Sequence, residues 1–437
     1  MKTTENRRKN ALRFFVAAAA GAILVTLCGP QASAQSVLYD PQSGSPTRYK
    51  PPHEGFLNGQ FWTDTRYRYE WVDQAGIRRN ARASTIRNKT GVESGFFYGF
   101  RAGVEGEFVL ELGPDDFNNT INGRTDYPVV IDVEGAEVDQ AYLESHHLPG
   151  VALLGGRFIE NLDNARFVGS AAWRQNEQTF DGAKATIAIT PEVEFLYEYI
   201  GNVNRIYGDS STVGNINSNI HLMHAESKEF NFGTLTAYTY LFDLYDLDQF
   251  SNATFGGFLK GKQNINDQWK YVYRLEYAHQ TDYANQPVDY DADYVRVEQG
   301  LSAGGFTGTL MYELLGSDNG VAAFQTPLAS AHTYNGFADV FVVIPPTGLQ
   351  DFYLQAKYKV PANSDGPFGS FGGLLLLMQY HEFRSAVDDI DYGSEFDFYS
   401  YLPLRDGLYV QAKYANYQAD NFAADRQKFI FGLGYQY

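Results

Sequence analysis

The last ten residues, KFIFGLGYQY (Lys428 to Tyr437), place a large apolar side chain at every second position. These positions are Phe429, Phe431, Leu433, Tyr435 and Tyr437. A period of two residues predicts a β-strand with one apolar face. Such a face must be shielded from water. Either the segment is an edge strand of a soluble sheet, or its apolar face is covered by membrane lipid.

The same alternation recurs in longer segments elsewhere in the chain. In FWTDTRYRYEW (Phe61 to Trp71), the even positions include Asp, Arg and Glu, whereas the odd positions carry Thr and aromatic residues. FFYGFRAGVEGEFVLE (Phe96 to Glu111) and KYVYRLEYAHQ (Lys270 to Gln280) also separate an apolar face from a charged one. A soluble β-sandwich alternates too, but about half of its strands would be shorter. The length of these segments therefore favours membrane-spanning strands.

The N-terminal segment is predicted to be removed from the mature chain. MKTTENRRKNALR is basic, Phe14 to Leu27 is a short apolar run, and Ala32-Ser33-Ala34 fits a cleavage site. These features predict a secretory signal peptide over residues 1–34 rather than a membrane helix. We interpret residues 35–59 as a flexible lead-in and residues 60–437 as one domain.

Composition points to a barrel rather than to membrane helices. The longest strongly apolar run after the leader is LLLLM (Leu374 to Met378), far below the roughly 20 apolar residues of a helical span. Aromatic residues make up 16% of the chain, and the one cysteine, Cys28, lies in the signal peptide, so no disulfide stabilises the exported part. This combination predicts an all-β, transmembrane antiparallel β-barrel in the outer membrane of a Gram-negative bacterium. Its expected partners are outer-membrane lipid, lipopolysaccharide and the barrel-insertion machinery, which would recognise the last strand. No cofactor is expected.

Turn positions set the number of strands. Tight turns of the periplasmic end are predicted near Ser94-Gly95, Pro149-Gly150, Pro191, Phe232-Gly233, Asn264 to Asp267, Gly304-Gly305, Asp365 to Gly369 and Pro403 to Gly407. Bacterial barrels have even strand numbers, with short periplasmic turns and long extracellular loops. Counting from both ends gives an even number, about 18, if FADVFVVI (Phe337 to Ile344) belongs to an outer loop over about 316–349. Loops this long are usually functional. We expect this one to fold inward and narrow the pore, with Leu374, Leu376 and Met378 packed beneath it.

Charge is expected to differ between the lumen and the outer loops. Eighteen strands leave an interior too wide for side chains to fill, so an aqueous channel is expected. Alternation places fourteen cations on the lumenal face: Arg66, Arg68, Arg87, Lys89, Arg101, Lys184, Lys260, Lys262, Lys270, Arg274, Arg296, Lys357, Lys359 and Lys413. Ten acids share that face, so the wall leans basic, which favours anions. The alternative is that Arg and Glu only pair across strands, and the two interpretations carry equal weight.

The chain as a whole is acidic. Its formal charge is −18, and loss of five Lys/Arg and one Glu with the signal peptide changes this to −22. This acidity argues against nucleic-acid binding. Segments such as DVEGAEVD and VDDIDYGSEFD place the acids in or beside predicted outer loops.

A long motif resembles a known family. GGRFIENLDNARFVGSAAWRQNEQTFDGA (Gly155 to Ala183) and NVNRIYGD (Asn202 to Asp209) resemble the alginate export family of outer-membrane porins. RYRYEWVDQ, NGRTDYPVVID and NGFADVFVVIPPTGL are similar as well. The resemblance implies an 18-stranded barrel and passive passage of an anionic solute or polysaccharide through a basic constriction. It adds four candidates to the pore-lining residues: Arg157, Arg166, Arg174 and Arg205.

Other classes of barrel protein share parts of this pattern. A general diffusion porin without polysaccharide specificity fits the same pattern. A barrel enzyme would need a Ser-His or Asp-His arrangement, and no recognisable motif of that kind occurs. A TonB-dependent receptor would need an N-terminal plug domain, for which the segment before about Gln60 is too short. VDYDADY offers Asp289, Asp291 and Asp293 as a weak Ca²⁺ candidate, although a solvated acidic loop is the stronger interpretation.

Overall fold

The computed structural model describes residues 58–113, 115–361 and 371–437. The predicted signal peptide, nearly all of the lead-in and the turn expected at Asp365 to Gly369 lie outside these residues. Within them, no helix is both long enough and apolar enough to cross a membrane.

Eighteen antiparallel strands form one sheet. It is closed, because the last strand pairs with the first over Asp64 to Gln74. The strands are β1 (Gln60–Gln74), β2 (Ala81–Glu93), β3 (Phe100–Glu111), β4 (Gly135–Leu148), β5 (Val151–Phe158), β6 (Thr179–Ala188), β7 (Val193–Asn204), β8 (Asn215–Phe230), β9 (Gly233–Leu244), β10 (Asn252–Asn264), β11 (Lys270–Asp282), β12 (Asp291–Ala303), β13 (Phe306–Leu315), β14 (Leu349–Lys359), β15 (Leu375–Arg384), β16 (Asp391–Arg405), β17 (Leu408–Ala419) and β18 (Arg426–Gln436). The predicted all-β barrel of 18 strands is therefore confirmed.

The two faces of the wall differ as alternation requires. On β11, Leu275 and Tyr277 are exposed and point outward, whereas Arg274 and Glu276 are buried on the inner face. An apolar exterior and a polar interior are typical of a barrel surrounded by lipid. The same alternation corrects the expectation for LLLLM, because Met378 is 50% exposed on the outer face while Leu377 packs against the interior cluster.

Short turns and long loops lie at opposite ends of the barrel. Pro149-Gly150 joins β4 to β5, and Gly304-Gly305 joins β12 to β13. Both residues of the second turn have positive φ, +55° and +89°, a conformation that glycine adopts without strain. The segment Phe337 to Ile344 forms no wall strand and belongs to the connection between β13 and β14, as the strand count predicted.

Two loops are central to the interior. We call residues 159–178, between β5 and β6, loop L3, and residues 316–348, between β13 and β14, loop L7. L7 contains a two-residue strand pair, Ser317–Asp318 with Ala322–Ala323, and a short 3-10 helix over Ala331–Thr333. Both loops begin and end at the end of the barrel opposite the short turns.

Candidate functional site: the lumen and its inward loops

Loop L7 folds into the barrel and binds the inner face of the wall. The backbone N–H groups of Phe337 and Ala338 donate to Asp397 (3.1 Å) and Glu395 (2.7 Å), both on β16. Arg426 on β18 donates to the carbonyl oxygen of Ala338 at 2.9 Å. Because these contacts are on lumenal side chains, L7 crosses the interior, as the sequence predicted.

Asp339 joins L7 to L3 and to the wall. Its carboxylate accepts from Arg174 of L3 (2.7 Å), Lys428 of β18 (2.5 Å) and His332 of L7 (2.7 Å). Burial alone would raise the pKa of Asp339, but these partners hold it well below its ordinary value. Asp339 also has a φ of +58°, a conformation that Asp and Asn tolerate better than other residues with a side chain.

His332 is a neutral donor in this cluster. Burial lowers the pKa of His332 well below its ordinary value, and the charges of Lys413 and Arg174 add to that effect against the pull of Asp339. Its Nδ1–H therefore donates to Asp339. The ring also stacks on Phe337 at a centroid distance of 5.3 Å.

Trp173 anchors L3 to the wall. Its ring stacks on His332, with centroids 4.7 Å apart and planes 5° from parallel. The Nζ atom of Lys413 on β17 lies 3.4 Å from the centroid of the Trp173 ring. The guanidinium groups of Arg66 and Arg68 lie 6.0 and 5.5 Å from the centroid of the same ring. Trp173 is therefore packed among side chains of L7 and of the wall, as an anchor of L3 would be.

Phe167 extends L3 to the other side of the lumen. Its ring lies 5.3 Å from Tyr238 on β9, 5.3 Å from Tyr294 on β12 and 5.9 Å from Phe324 of L7. These aromatic residues belong to one buried cluster that also contains Phe180. The cluster therefore packs L3 and L7 against the wall.

L3 and L7 are also joined directly. The guanidinium of Arg166 donates to Glu313 at 2.9 and 3.1 Å and to Asn335 of L7 at 2.9 Å. Gly169 N–H donates to the carbonyl oxygen of Leu328 at 2.9 Å. The two loops therefore form one packed unit, which we call the L3–L7 constriction.

Two predicted pore cations hold L3 in place. Arg66 donates to the carbonyl oxygens of Ala172 (3.1 Å) and Trp173 (3.0 Å). Arg68 donates to the same Trp173 carbonyl at 2.6 Å and to Asp132. Both arginines lie on the lumenal face of β1, as alternation predicted, but they are buried under the loop.

Most other predicted cations are paired. Five buried arginines contact acids as follows: Arg87 with Asp64 (2.5 Å), Arg166 and Arg296 with Glu313 (both 2.9 Å), Arg174 with Asp339 (2.7 Å) and Arg274 with Glu276 (2.8 Å). Three partly exposed ones are Arg101 with Glu144, Arg157 with Asp181 and Lys184 with Glu160, each at 2.6 Å. Arg205 lies over Tyr207 at 4.6 Å, Lys260 is 3.6 Å from Glu226, and Lys357 is exposed. Pairing of lumenal cations with acids, the alternative to a basic lumen, is therefore extensive.

Arg157 is placed differently from the sequence prediction. In the register of β5, Arg157 lies opposite Ala141 and Asp181, whereas the neighbouring Phe158 is 2% exposed and packs in the interior cluster. Because successive side chains of a strand point to opposite faces, Arg157 belongs to the outward face. The resemblance suggested a lumenal role that this register does not provide.

Sequence reasoning did not single out Glu313 or Asp339. Each is an acid within an otherwise apolar stretch, MYELL and GFADVFVV, and a charge in such a context predicts a buried partner. Glu313 contacts Arg166, Arg296, Tyr294 and Asn335. An acid within an apolar stretch therefore predicts that the residue is buried and paired, but it does not identify the partner residues.

The weak calcium candidate is not supported. Asp293 instead accepts from His279 (2.9 Å) and Tyr277 (2.8 Å) on the neighbouring strand. Asp289 lies in the loop before β12, and Asp291 and Asp293 lie at alternate positions along β12. Across the described ranges, no group of three or more His, Cys, Asp or Glu residues could hold a metal ion.

Comparison with known proteins shows the fold alone. No protein-family profile and no curated sequence matches the chain. Among solved structures, OccAB2 of Acinetobacter baumannii is 16% identical, with a TM-score of 0.68 over 88% of this chain and 98% of that one. OpdL of Pseudomonas aeruginosa is also 16% identical, with a TM-score of 0.65 over 87% and 99%. This likeness does not show the alginate export family. By its fold, the chain is an 18-stranded barrel of the outer-membrane porin type.

Proposed function

We propose that the chain is a passive outer-membrane channel for small hydrophilic solutes and that its lumen prefers anions. One observation carries this proposal: a closed barrel of 18 strands has a polar interior that two long loops narrow from within. A barrel of this size leaves room for an aqueous passage. An inward-folded loop is a means of restricting that passage by size and charge.

The packing of the constriction favours small solutes over a polymer. Phe167 of L3 and Phe324 of L7 lie in one buried cluster with wall aromatics, and Asp339 ties both loops to β18. A polysaccharide chain would need these contacts to open. Export of an anionic polysaccharide, which the motif at Gly155 to Ala183 suggests, is the second candidate, and unspecific diffusion is the third.

The anion preference rests on a small set of cations. Because most lumenal arginines are neutralised by acids at 2.5–2.9 Å, their charge contributes little to a permeating ion. The lysines toward the short-turn end are more exposed: Lys260, Lys262, Lys270, Lys357 and Lys359. We expect these lysines to set the sign of the potential that a solute experiences.

Planar-bilayer recording of the purified protein tests the proposal. In a KCl gradient, we expect discrete channel currents. Their reversal potential should be shifted from zero toward the equilibrium potential of chloride. Liposome swelling with glucose, glucuronate and uronate oligomers of increasing length would then define the size limit. Absence of conductance, or selectivity for potassium, would refute the channel or its anion preference. Swelling with long oligomers would favour the polysaccharide channel instead.

The same proposal assigns the surroundings of the barrel. The exposed outer aromatics Phe429, Phe431 and Tyr435 of β18 face lipid, as expected of a strand that the insertion machinery recognises. Replacing Tyr437 with Ser should lower the amount of protein in outer-membrane fractions without changing its synthesis. Equal amounts of folded protein for the parent and the Tyr437→Ser variant would contradict this recognition.

A further inference from the structure

A recess in the lumenal wall lies toward the short-turn end, away from the L3–L7 constriction. It has a volume of about 460 Å³ and is lined by polar side chains of five adjacent strands: Thr234, Lys260, Lys262, Arg274, Glu298 and Thr309. Gly300 lies between Val272 and Thr309 in the strand register. A Cβ atom at Gly300 would lie 2.6 Å from the carbonyl oxygen of Gly308. The close approach of β12 and β13 beside the recess therefore requires glycine at this position.

The cations of the recess are available to a ligand. The side chain of Lys260 is 43% exposed, and its nearest acid, Glu226, is 3.6 Å away. Lys262 is exposed and forms no ion pair within the described ranges. This distinguishes both lysines from the buried arginines beside L3, whose charges are already matched.

Arg274 is held in position with part of its donor capacity unused. Its Nε donates to Glu276 at 2.8 Å, and its guanidinium lies 3.7 Å from the centroid of the Phe258 ring. Within the part of the chain that the structure describes, its two Nη atoms have no hydrogen-bond partner. The one acid lining the recess, Glu298, accepts from Arg296. Its charge is therefore paired with that of Arg296.

We propose that this recess binds the oxyanion group of a permeating solute, a carboxylate or a phosphate. The two ammonium groups would neutralise the anion, the unused guanidinium nitrogens of Arg274 would donate hydrogen bonds to it, and the hydroxyls of Thr234 and Thr309 would add neutral donors. Charge-assisted hydrogen bonds of this kind are the strong ones. The inference rests on the proposed channel function and adds a defined subsite on the short-turn side of the constriction.

The test compares two double variants of the full-length protein in planar bilayers. Lys260→Gln with Lys262→Gln removes two charges from the recess. Lys357→Gln with Lys359→Gln removes two exposed lysines from β14, outside the recess. The readout is the concentration of inorganic phosphate or glucuronate that halves the chloride current, with glucose as the neutral control. We expect the first pair to raise that concentration about tenfold, since two charges contribute roughly 0.7 kcal/mol each, and the second pair to change it less than twofold.

Each outcome decides the inference. Equal effects of the two pairs would show a diffuse field rather than a site, and an unblocked parent channel would overturn the proposal while leaving the channel function intact. Block by phosphate alone would assign the recess to phosphate, and block by glucuronate alone would assign it to carboxylates. If the parent does not conduct, the channel function fails, and calorimetric titration of the detergent-solubilised protein with both anions decides binding independently.

Discussion

The contact that should control the constriction most strongly is the carboxylate of Asp339. Replacing Asp339 with Asn removes the charge that Arg174 and Lys428 share. Asn keeps the size of the side chain and tolerates the φ of +58° at this position. The substitution therefore isolates the ion pairs from any effect of backbone strain.

The expected cost follows from burial. Removing one partner of a buried ion pair costs about 3–5 kcal/mol, because the other charge is left uncompensated. Glu70 lies 3.7 Å from Arg174 and 3.8 Å from Lys428 and compensates part of their charge, so the lower end of this range applies. A loss of about 3 kcal/mol shifts the equilibrium between inward and released L7 by about two orders of magnitude.

Single-channel recording measures this shift. We expect Asp339→Asn to show larger, noisier conductance, with wide-open events about a hundred times more frequent relative to the narrow state. Asp318→Asn is the matched control, because Asp318 lies in the same loop and its recorded side-chain contact is with the amide of Asn319. A heat-dependent gel shift would establish that both barrels are folded. An unchanged open-state frequency in Asp339→Asn would mean that packing, not the ion pairs, holds L7 inward.

Three further predictions concern the same unit. Trp173→Ala removes the ring that stacks on His332 and lies beside Lys413 and should cost about 3–5 kcal/mol of loop packing; widened conductance would agree, whereas reduced solute affinity with unchanged conductance would indicate a binding platform. The pKa of His332 is lowered in the inward state of L7, so this state has its full stability above about pH 6.5 and loses up to about 1.4 kcal/mol per pH unit below that value. The frequency of wide-open events should therefore increase from pH 7 to pH 5, and His332→Gln should remove this pH dependence. Glu313→Gln leaves the buried guanidinium of Arg166 without its acid, whereas Arg296 keeps Glu298, so trypsin should cleave after Arg166 in the variant, and equal resistance of the variant and the parent would argue against this role.

The wall was predictable because its signals are local. The alternation in Phe61 to Trp71 and in Lys428 to Tyr437 depends only on neighbouring residues, and the pleat of a strand converts it directly into two faces. Glycine and proline pairs such as Gly304-Gly305 then mark the ends of strands. The even strand number of bacterial barrels was the additional constraint that placed Phe337 to Ile344 in a loop. LLLLM was misassigned because an uninterrupted apolar run carries no alternation from which a face can be read.

The contacts inside the lumen were not predictable in the same way. Arg166 and Glu313 are 147 residues apart in the chain, and no local pattern relates them. Alternation predicted that Arg66 and Arg68 face inward, but their partners are backbone carbonyls of L3, which any sequence could present. The inner face of a wide barrel is occupied by loops whose path the strand pattern does not determine, so a lumenal position does not imply contact with the permeating solute.

The use of arginines as loop anchors has a consequence for selectivity. The planar guanidinium group donates several hydrogen bonds in fixed directions, which suits Arg66 and Arg166 to holding L3. Because these groups are already bound to carbonyl oxygens and acids, they attract a passing anion only weakly. Anion attraction must then come from side chains that keep their hydration and mobility, which is the behaviour of lysine. Lys260 and Lys262 lie where the lumen is not filled by L3 and L7. The two tasks of the lumen, narrowing the passage and attracting the solute, are therefore divided between residue types and between the two ends of the barrel.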